Sequence, residues 1–151
     1  MIRLVPVSTA VAVAVLSYGD VDATLTGLRR APDWPHEDTA DAFRPLAEHP
    51  LHTGDGTFLL VEDDVVVGDC GWFGPPDEDG EAEIGYGLAP SARGRGVGTA
   101  GVALLLAWAG ERGARTVRAE VLPGNLPSLR LLAGLGFTDV GERAGHRILV
   151  R

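Results

Sequence analysis

The sequence predicts a single domain of mixed α/β fold, in which a mostly antiparallel, bent sheet carries helices on both faces. The chain has 151 residues, which is enough for one domain with a buried core and leaves no room for a second. Two pairs of β-rich runs are each joined by a short turn, as in β-hairpins. A glycine-rich turn in the second half of the chain leads into an apolar run over residues 102–109, which predicts a helix.

The first elements predicted are a strand over residues 2–5 and a helix over residues 9–17, with Ser8 or Thr9 as its N-cap. The alternating Ala and Val residues of the second segment fit a strand equally well. A short signal peptide is the competing interpretation of residues 1–16, but a proline and two polar residues interrupt the apolar stretch, and the remainder is too short to span a membrane. We therefore expect a cytoplasmic protein, which agrees with a single Cys that cannot form an intrachain disulfide.

Residues 18–50 are polar, and four prolines cut them into short pieces. Helices are predicted near residues 21–28 and 37–49. Trp34 lies in the connecting turn, where a large aromatic side chain either covers the edge of the core or forms one wall of a substrate pocket. Both interpretations remain open at this point.

Residues 57–61 and 65–73 are β-rich runs that predict a hairpin. Gly68 and Gly71 lie within the second run and Gly74 directly follows it, so we expect this strand to be bent or bulged. Trp72 and Phe73 project to opposite faces of the sheet, and one of them should face the substrate.

The next strand is predicted over residues 82–88, after an acidic, exposed loop at residues 74–80. Gly85 and Gly87 interrupt its apolar pattern, which usually marks a bulge or a place where a ligand approaches the backbone closely. A bulge that only adds twist is the simpler alternative.

The last elements predicted are a strand over residues 116–122, a helix that ends at residue 133, and a closing hairpin of residues 137–142 and 146–150. Asn125 follows a Pro-Gly pair and is well placed as the N-cap of this helix.

The turn that contains Gly94, Gly96 and Gly98 is predicted to bind an anion. Glycine permits positive φ and close approach, so the N–H groups of the turn can point at a ligand. The helix that follows adds the unpaired N–H groups of its first turn and the positive end of its dipole. A phosphate or a pyrophosphate suits such a site best.

Two known kinds of phosphate loop fit this turn poorly. A Walker loop needs a Lys, and all 13 basic residues of the chain are Arg. Gly96, Gly98 and Gly101 match the dinucleotide fingerprint G-x-G-x-x-G, and Glu120 follows at about the sequence spacing of the acidic residue that binds the ribose. In that fingerprint the strand runs almost directly into the first glycine, whereas several residues separate them here. A glycine-rich connection without a ligand also remains an alternative.

Residues 93–98 read RGRGVG and fit the pattern [QR]-x-x-G-x-[GA], so this segment resembles the acyl-CoA pyrophosphate loop of the GNAT superfamily of N-acetyltransferases. Residues 83–88 resemble the fourth strand of that family, and residues 124–137 resemble its N-x-x-S and L-G-F segment. The resemblance extends over residues 82–143 and is looser before them. It also favours the helix over the strand for residues 9–17.

This resemblance implies a single GNAT-like domain over residues 1–151, with an acyl-CoA core at residues 82–143 and an acceptor-side region at residues 18–56. The activity it implies is transfer of an acetyl group from acetyl-CoA to a primary amine, carried by a small molecule or by a protein N-terminus or lysine. The net charge of −8 argues against a nucleic-acid partner. No membrane partner and no metal are expected, and monomer and homodimer both remain open. A non-catalytic acyl-CoA-sensing module of the same fold is the alternative.

The same resemblance assigns residues to two binding sites. Backbone groups near the end of the strand at residues 82–88 would hold the pantetheine arm. The residues implied in acyl-CoA binding are Leu88, Pro90, Arg93, Gly94, Arg95, Gly96, Val97, Gly98, Thr99, Asn125 and Ser128. The residues implied in acceptor binding are Trp34, Trp72 and Tyr86.

Glu83, Glu120 and Ser128 are the catalytic residues implied by the resemblance. Many family members protonate the departing thiolate with a Tyr on the helix after Asn, but Leu132 occupies that position here. Ser128 is the nearest replacement, although hydrogen bonding at the helix start explains its hydroxyl equally well. Glu83 and Glu120 match positions used as bases in the family. Because Arg118 on the same strand face offers Glu120 an ion-pair partner, Glu83 is favoured as the base.

Overall fold

The computed structural model describes residues 1–49 and 56–151, and the part of the acceptor-side region at residues 50–55 lies outside this description. The described chain has the predicted mixed α/β fold, with eight strands in one sheet and four α-helices. The strands are β1 Ile2–Pro6, β2 Arg29–Arg30, β3 Thr57–Glu62, β4 Val65–Trp72, β5 Glu81–Leu88, β6 Thr116–Val121, β7 Thr138–Arg143 and β8 His146–Val150. The helices are α1 Thr9–Leu16, α2 Thr39–Glu48, α3 Val97–Glu111 and α4 Leu126–Gly134.

The sheet has the strand order β1-β3-β4-β5-β6-β8-β7, and β2 pairs with the start of β4 beside this path. Neighbouring strands along the path are antiparallel except β5 and β6, which are parallel. Parallel neighbours need a crossover connection, and α3 provides it. The glycine-rich turn therefore lies where the chain leaves the sheet after β5.

Both predicted hairpins are present, and each has a short turn of the kind that joins paired strands. Each loop has two residues, and each of these residues has positive φ: 48° and 65° at Asp63 and Asp64, and 52° and 82° at Ala144 and Gly145. Two successive residues with positive φ give the turn twist that matches the twist of paired strands. Short-range geometry thus fixes the register of these two strand pairs.

The helices lie on both faces of the sheet, as predicted. Trp108 of α3 packs against Phe58 and Trp72, at ring distances of 5.0 and 4.5 Å, which places α3 on the face to which Trp72 projects. Thr39 of α2 donates a hydrogen bond to Asp69 at 2.8 Å. Because Asp69 and Trp72 are three residues apart on one strand, their side chains point to opposite faces. We call the α3 side the helix α3 face and the α2 side the helix α2 face.

The segment before α2 differs from the prediction. No α-helix forms at residues 21–28, which instead contain a single 3₁₀ turn at Asp22–Thr24. The following residues form β2, where the Arg29 N–H donates to the Asp64 carbonyl at 2.9 Å. Pairing with the free edge of β4 satisfies backbone groups that a helix would have satisfied internally. The helix predicted over residues 9–17 is present as α1, with Ser8 accepting from the Val11 N–H at 3.2 Å.

None of the helices in the described ranges has both the length and the apolar character that crossing a membrane requires.

Candidate functional site

Strands β5 and β6 separate part of the way along their length. They pair from Glu81 opposite Thr116 to Ile84 opposite Ala119, and within the described chain the pairing stops there. On its other side β5 stays paired with β4 as far as Leu88. The second half of β5 therefore presents backbone N–H and C=O groups to a gap, and such groups must find a partner in a ligand or in water.

The glycine-rich turn lies at the end of β5 and opens α3. Gly94 and Gly96 have φ values of 77° and 81°, and no heavy atom of the described residues lies within 4 Å of a β-carbon built on either. Gly96 is the N-cap of α3, and no described side chain caps this helix. The first helical N–H to find an acceptor is that of Ala100, at 3.1 Å from the Gly96 carbonyl. The N–H groups of Val97, Gly98 and Thr99 therefore remain available to an anion.

Gly98 has a different role from the two glycines before it. A β-carbon at this position would lie 2.8 Å from Leu131 of α4 and 3.3 Å from Leu88 of β5. The missing side chain lets α3, α4 and the end of β5 approach one another closely. Packing therefore requires a glycine here, whereas backbone conformation requires one at Gly96.

The two arginines of the turn are held by the protein itself. Arg93 donates to the Leu88 carbonyl at 3.1 Å, and Arg95 donates to both carboxylate oxygens of Glu62 at 2.8 and 2.9 Å. Pro90 begins a 3₁₀ turn whose Ser91 donates to Asp33 from its N–H at 2.7 Å and from its hydroxyl at 2.6 Å. These hydrogen bonds lower the pKa of Asp33. No local pattern pointed to Asp33, because it is 58 residues from Ser91 in sequence.

Tyr86 of β5 and Ser128 of α4 are in hydrogen-bond contact. The Tyr86 Oη and Ser128 Oγ atoms are 2.5 Å apart. Asn125 caps α4, as predicted, by accepting from the Ser128 N–H at 3.3 Å. Burial raises the pKa of Tyr86, and the hydrogen bond with Ser128 opposes this shift. Leu132 occupies the position on α4 at which many family members have a tyrosine, and its side chain is fully buried.

The two candidate bases lie next to each other where β5 and β6 separate. Arg118 donates a hydrogen bond to Glu120, and Glu83 is opposite Arg118 in the strand register. Burial raises the pKa of Glu83; the carboxylates of Glu120 and Glu81 raise it further, and Arg118 opposes them. The Arg118 Nε is buried and has no hydrogen-bond partner among the described residues. Glu120 thus has the partner that the sequence suggested, and Glu83 keeps a carboxylate that is harder to ionise.

A cavity of about 790 Å³ opens on the helix α2 face and reaches the unpaired part of β5. Trp72 and Tyr86, two of the three residues predicted to bind the acceptor, border it together with Gly85 and Gly87. The Trp72 and Tyr86 side chains point to the helix α3 face, so of Trp72 and Phe73 it is Phe73 that faces the cavity. Trp34 is not part of the cavity wall. Its side chain is fully buried, packs 6.2 Å from the Phe43 ring and donates to Asp69 at 2.9 Å, so it serves the core.

His36 also lines this cavity, and sequence reasoning did not single it out. Its side chain is 5% exposed, and its Nε2 lies 3.0 Å from the buried carboxylate of Asp69 without the alignment of a hydrogen bond. The ring lies where a β-carbon of Gly87 would be, at 2.4 Å from its Cε1. Burial lowers the pKa of His36, but the carboxylates of Asp69 and Asp38 outweigh this effect, so the pKa lies above the usual histidine value.

Replacing Gly87 with alanine is therefore expected to destabilise the protein. The new methyl group would overlap His36 atoms at 2.4 and 2.6 Å, and His36 is enclosed by Asp69 and α2. Overpacking of this kind costs roughly 1–3 kcal/mol, or about 2–12 °C in Tm for a chain of this size. Thermal unfolding measures the loss, and Gly124→Ala is the matched control because its β-carbon meets no heavy atom within 4 Å. A Gly87→Ala variant as stable as this control would contradict the placement of His36.

The model of the acetyltransferase (GNAT) domain family matches residues 2–138 of the chain. An uncharacterised N-acetyltransferase, p20 of Bacillus licheniformis, is 34% identical over 99 residues, which are 62% of this chain and 56% of that protein. The uncharacterised N-acetyltransferase YjdG of Bacillus subtilis is 32% identical over 113 residues, 70% of this chain and 67% of that protein. The chain thus matches little more than half of the first relative and two thirds of the second.

Two solved structures have the same fold. RimJ of Mycobacterium smegmatis, in complex with CoA-disulfide, superposes with a TM-score of 0.66 at 23% identity, covering 99% of this chain and 81% of that one. The putative acetyltransferase yncA of Salmonella typhimurium, with its cofactor acetyl-CoA, superposes with a TM-score of 0.64 at 20% identity, covering 99% of this chain and 92% of that one. Because the family model spans nearly the whole length, this chain belongs to the GNAT acetyltransferase family.

Proposed function

We propose that this chain transfers an acetyl group from acetyl-CoA to a primary amine. The observation that carries the proposal is the continuity of three features: the open turn at Gly96, the gap beyond Ile84, and the cavity on the opposite face of the sheet. Acetyl-CoA with its pyrophosphate at the turn and its pantetheine arm in the gap would have its thioester next to the cavity. The separated strands and the missing β-carbons of the turn fit acetyl-CoA, because both leave room for a ligand next to free backbone groups.

The turn would hold the pyrophosphate through the N–H groups at the start of α3. The unpaired backbone of β5 near Leu88 and the 3₁₀ turn at Pro90 would hold the pantetheine arm, and the hydrogen bonds of Ser91 to Asp33 keep this turn in place. Arg93 and Arg95 contribute positive charge, although both are already bonded within the protein. The backbone therefore supplies most of the specific contacts and the arginines supply a favourable field.

In the reaction a bond forms between the amine nitrogen and the acetyl carbon, the carbon–sulfur bond breaks, and CoA leaves as a thiolate. An alkylammonium has a pKa of about 10.4, so at neutral pH a proton must leave before the nitrogen can attack. We assign this proton to Glu83, directly or through water, with Glu120 as the second candidate. The departing thiolate would take a proton from Ser128, which Tyr86 can replenish across their short hydrogen bond.

The proposal is tested by measuring CoA thiol release from acetyl-CoA with a panel of primary amines, including a peptide N-terminus and a lysine side chain. Release that depends on the amine supports it. A chain that binds CoA with ordinary affinity but releases no thiol with any amine would instead be the non-catalytic acyl-CoA-binding module.

Ser128→Ala is expected to lower kcat by about tenfold or more while leaving acetyl-CoA affinity nearly unchanged, because the hydroxyl is needed only when the thiolate departs. Steady-state kinetics with calorimetric binding of CoA checks this. Ser17→Ala is the matched control, since that hydroxyl donates to the Val13 carbonyl at the end of α1, far along the chain from the gap. An unchanged kcat with a lower Tm would show that the Ser128 hydroxyl serves only the start of α4.

A further inference from the structure

The cavity on the helix α2 face has a wall chemistry that selects among amines. Building on the proposed function, we infer that the acceptor is a primary amine with an apolar or aromatic body and without a carboxylate next to the amine. The 2-arylethylamines are examples of this class, and free amino acids are outside it.

The position of the cavity identifies it as the acceptor's entrance. Its floor includes Gly85, Tyr86 and Gly87, which belong to the part of β5 that has separated from β6. Gly98, at the end of the glycine-rich turn, packs close to the Leu88 side chain of β5 on the helix α3 face. The cavity lies on the helix α2 face, which is the other side of the sheet. An amine bound there and an acyl group in the gap would meet at the unpaired strand.

The charges of the wall are negative. Asp38 and Asp41 lie at the mouth, and Asp69 lies at the floor, 3% exposed. The carboxylate of Asp38 has no ion-pair partner in the described ranges, whereas Asp41 pairs with Arg44 at 3.4 Å. Among the described residues that form the wall, only His36 can carry a positive charge, and Asp69 at 3.0 Å offsets it.

Arg93 is close enough for its charge to act on His36, but it is not part of the wall and its guanidinium donates to the Leu88 carbonyl at 3.1 Å. Arg44 of α2 is shared between Asp41 and Glu48 and is not part of the wall. A carboxylate next to the acceptor amine would thus enter an acidic cavity without a cation to pair with, which is unfavourable.

His36 is paired with one of these carboxylates. Its side chain is 95% buried, and its Nε2 lies 3.0 Å from the Asp69 carboxylate. The one described wall residue that can become a cation is therefore already paired within the protein, and no free cation of the described wall is left for a substrate carboxylate.

The rest of the wall is apolar and aromatic. The Phe73 ring is 72% exposed and lies 3.1 Å from a β-carbon built on Gly85, beside the unpaired strand. Pro45 and Leu46 of α2 continue this surface. Exposed aromatic rings bind both apolar bodies and ammonium groups. The wall therefore fits an aryl or alkyl group that carries a cationic amine.

Two probes that differ only in the carboxylate test the inference: 2-phenylethylamine and L-phenylalanine, assayed by CoA thiol release. We expect kcat/KM to be at least about tenfold higher for 2-phenylethylamine. The Asp38→Asn variant should reduce this ratio by about threefold, because interactions with an exposed charge are weak. Comparing the ratio between variants cancels the intrinsic reactivities of the two amines.

Glu111→Gln is the matched control, since it removes the same charge at the exposed end of α3 and should leave the ratio unchanged. Acetylation of phenylalanine with equal or higher kcat/KM would overturn the inference while the proposed function stands. A ratio that Asp38→Asn leaves unchanged would also overturn it, because the acidic mouth would then have no effect on selection. If neither these probes nor any amine of the wider panel releases thiol, the proposed function itself fails and the inference fails with it.

Discussion

Gly96→Val is expected to weaken CoA binding by at least about 100-fold. Gly96 has a φ of 81° and begins α3, so a β-branched residue there would strain the backbone by about 1–2 kcal/mol. Relief of that strain would rotate the N–H groups of the first helical turn away from the anion. Hydrogen bonds to a charged group are worth roughly 1.5–3 kcal/mol each, and losing two of them gives about 100-fold or more in Kd. Calorimetric titration with CoA measures the change.

Gly98→Val should lose CoA binding for a different reason. Its side chain would press on Leu131 at 2.8 Å and separate α3 from α4, so we expect a lower Tm as well. Arg93→Ala should weaken binding less, because its guanidinium assists while the N–H groups form the site. Gly110→Val is the control in the same helix, because a β-carbon built on Gly110 meets no heavy atom of another part of the described chain within 4 Å. If both Gly96→Val and Gly98→Val bind CoA normally, the turn is not the pyrophosphate site.

The elements that could be predicted from sequence are those fixed by neighbouring residues. Two-residue turns determine both hairpins, and Asn125 caps α4 through a hydrogen bond to Ser128, three residues away. The anion-binding turn was recognisable because glycines at alternate positions before an apolar helix favour a backbone that a ligand can approach closely. In each case the physical cause lies within a few residues of its effect, so a local pattern records it.

The features that could not be predicted depend on partners far along the chain. Trp34 is buried because Asp69, 35 residues later, accepts its indole N–H. Tyr86 was assigned to the acceptor, but its hydroxyl meets Ser128, 42 residues later, on the other side of the gap. The alternation of a strand indicates which face a side chain is on and not what it meets there. The same limit concealed His36, whose place depends on the absence of a side chain at Gly87.

Glu83→Gln is expected to lower kcat/KM by about 10² to 10⁴, which is the usual contribution of a general base, with CoA affinity unchanged. The carboxylate form is the active one, so activity in the parent protein should fall as the pH drops through the raised pKa of Glu83. The Gln variant should lack this acidic limb. A raised pKa means that the ionised form is the less favourable one in the folded state, so neutral Gln should leave Tm at pH 7 equal or slightly higher.

Glu120→Gln distinguishes the two candidate bases by moving the acidic limb rather than removing it. Glu120 raises the pKa of Glu83, and it also occupies Arg118, whose charge lowers that pKa. Without the Glu120 charge, Arg118 acts on Glu83 alone, and the limb should shift to lower pH while activity near pH 7 stays within about threefold, far below the loss of a true base. If Glu120→Gln abolishes the limb and Glu83→Gln keeps it, the assignment is reversed. If both variants stay within about threefold, neither carboxylate is the base and the amine must arrive already neutral.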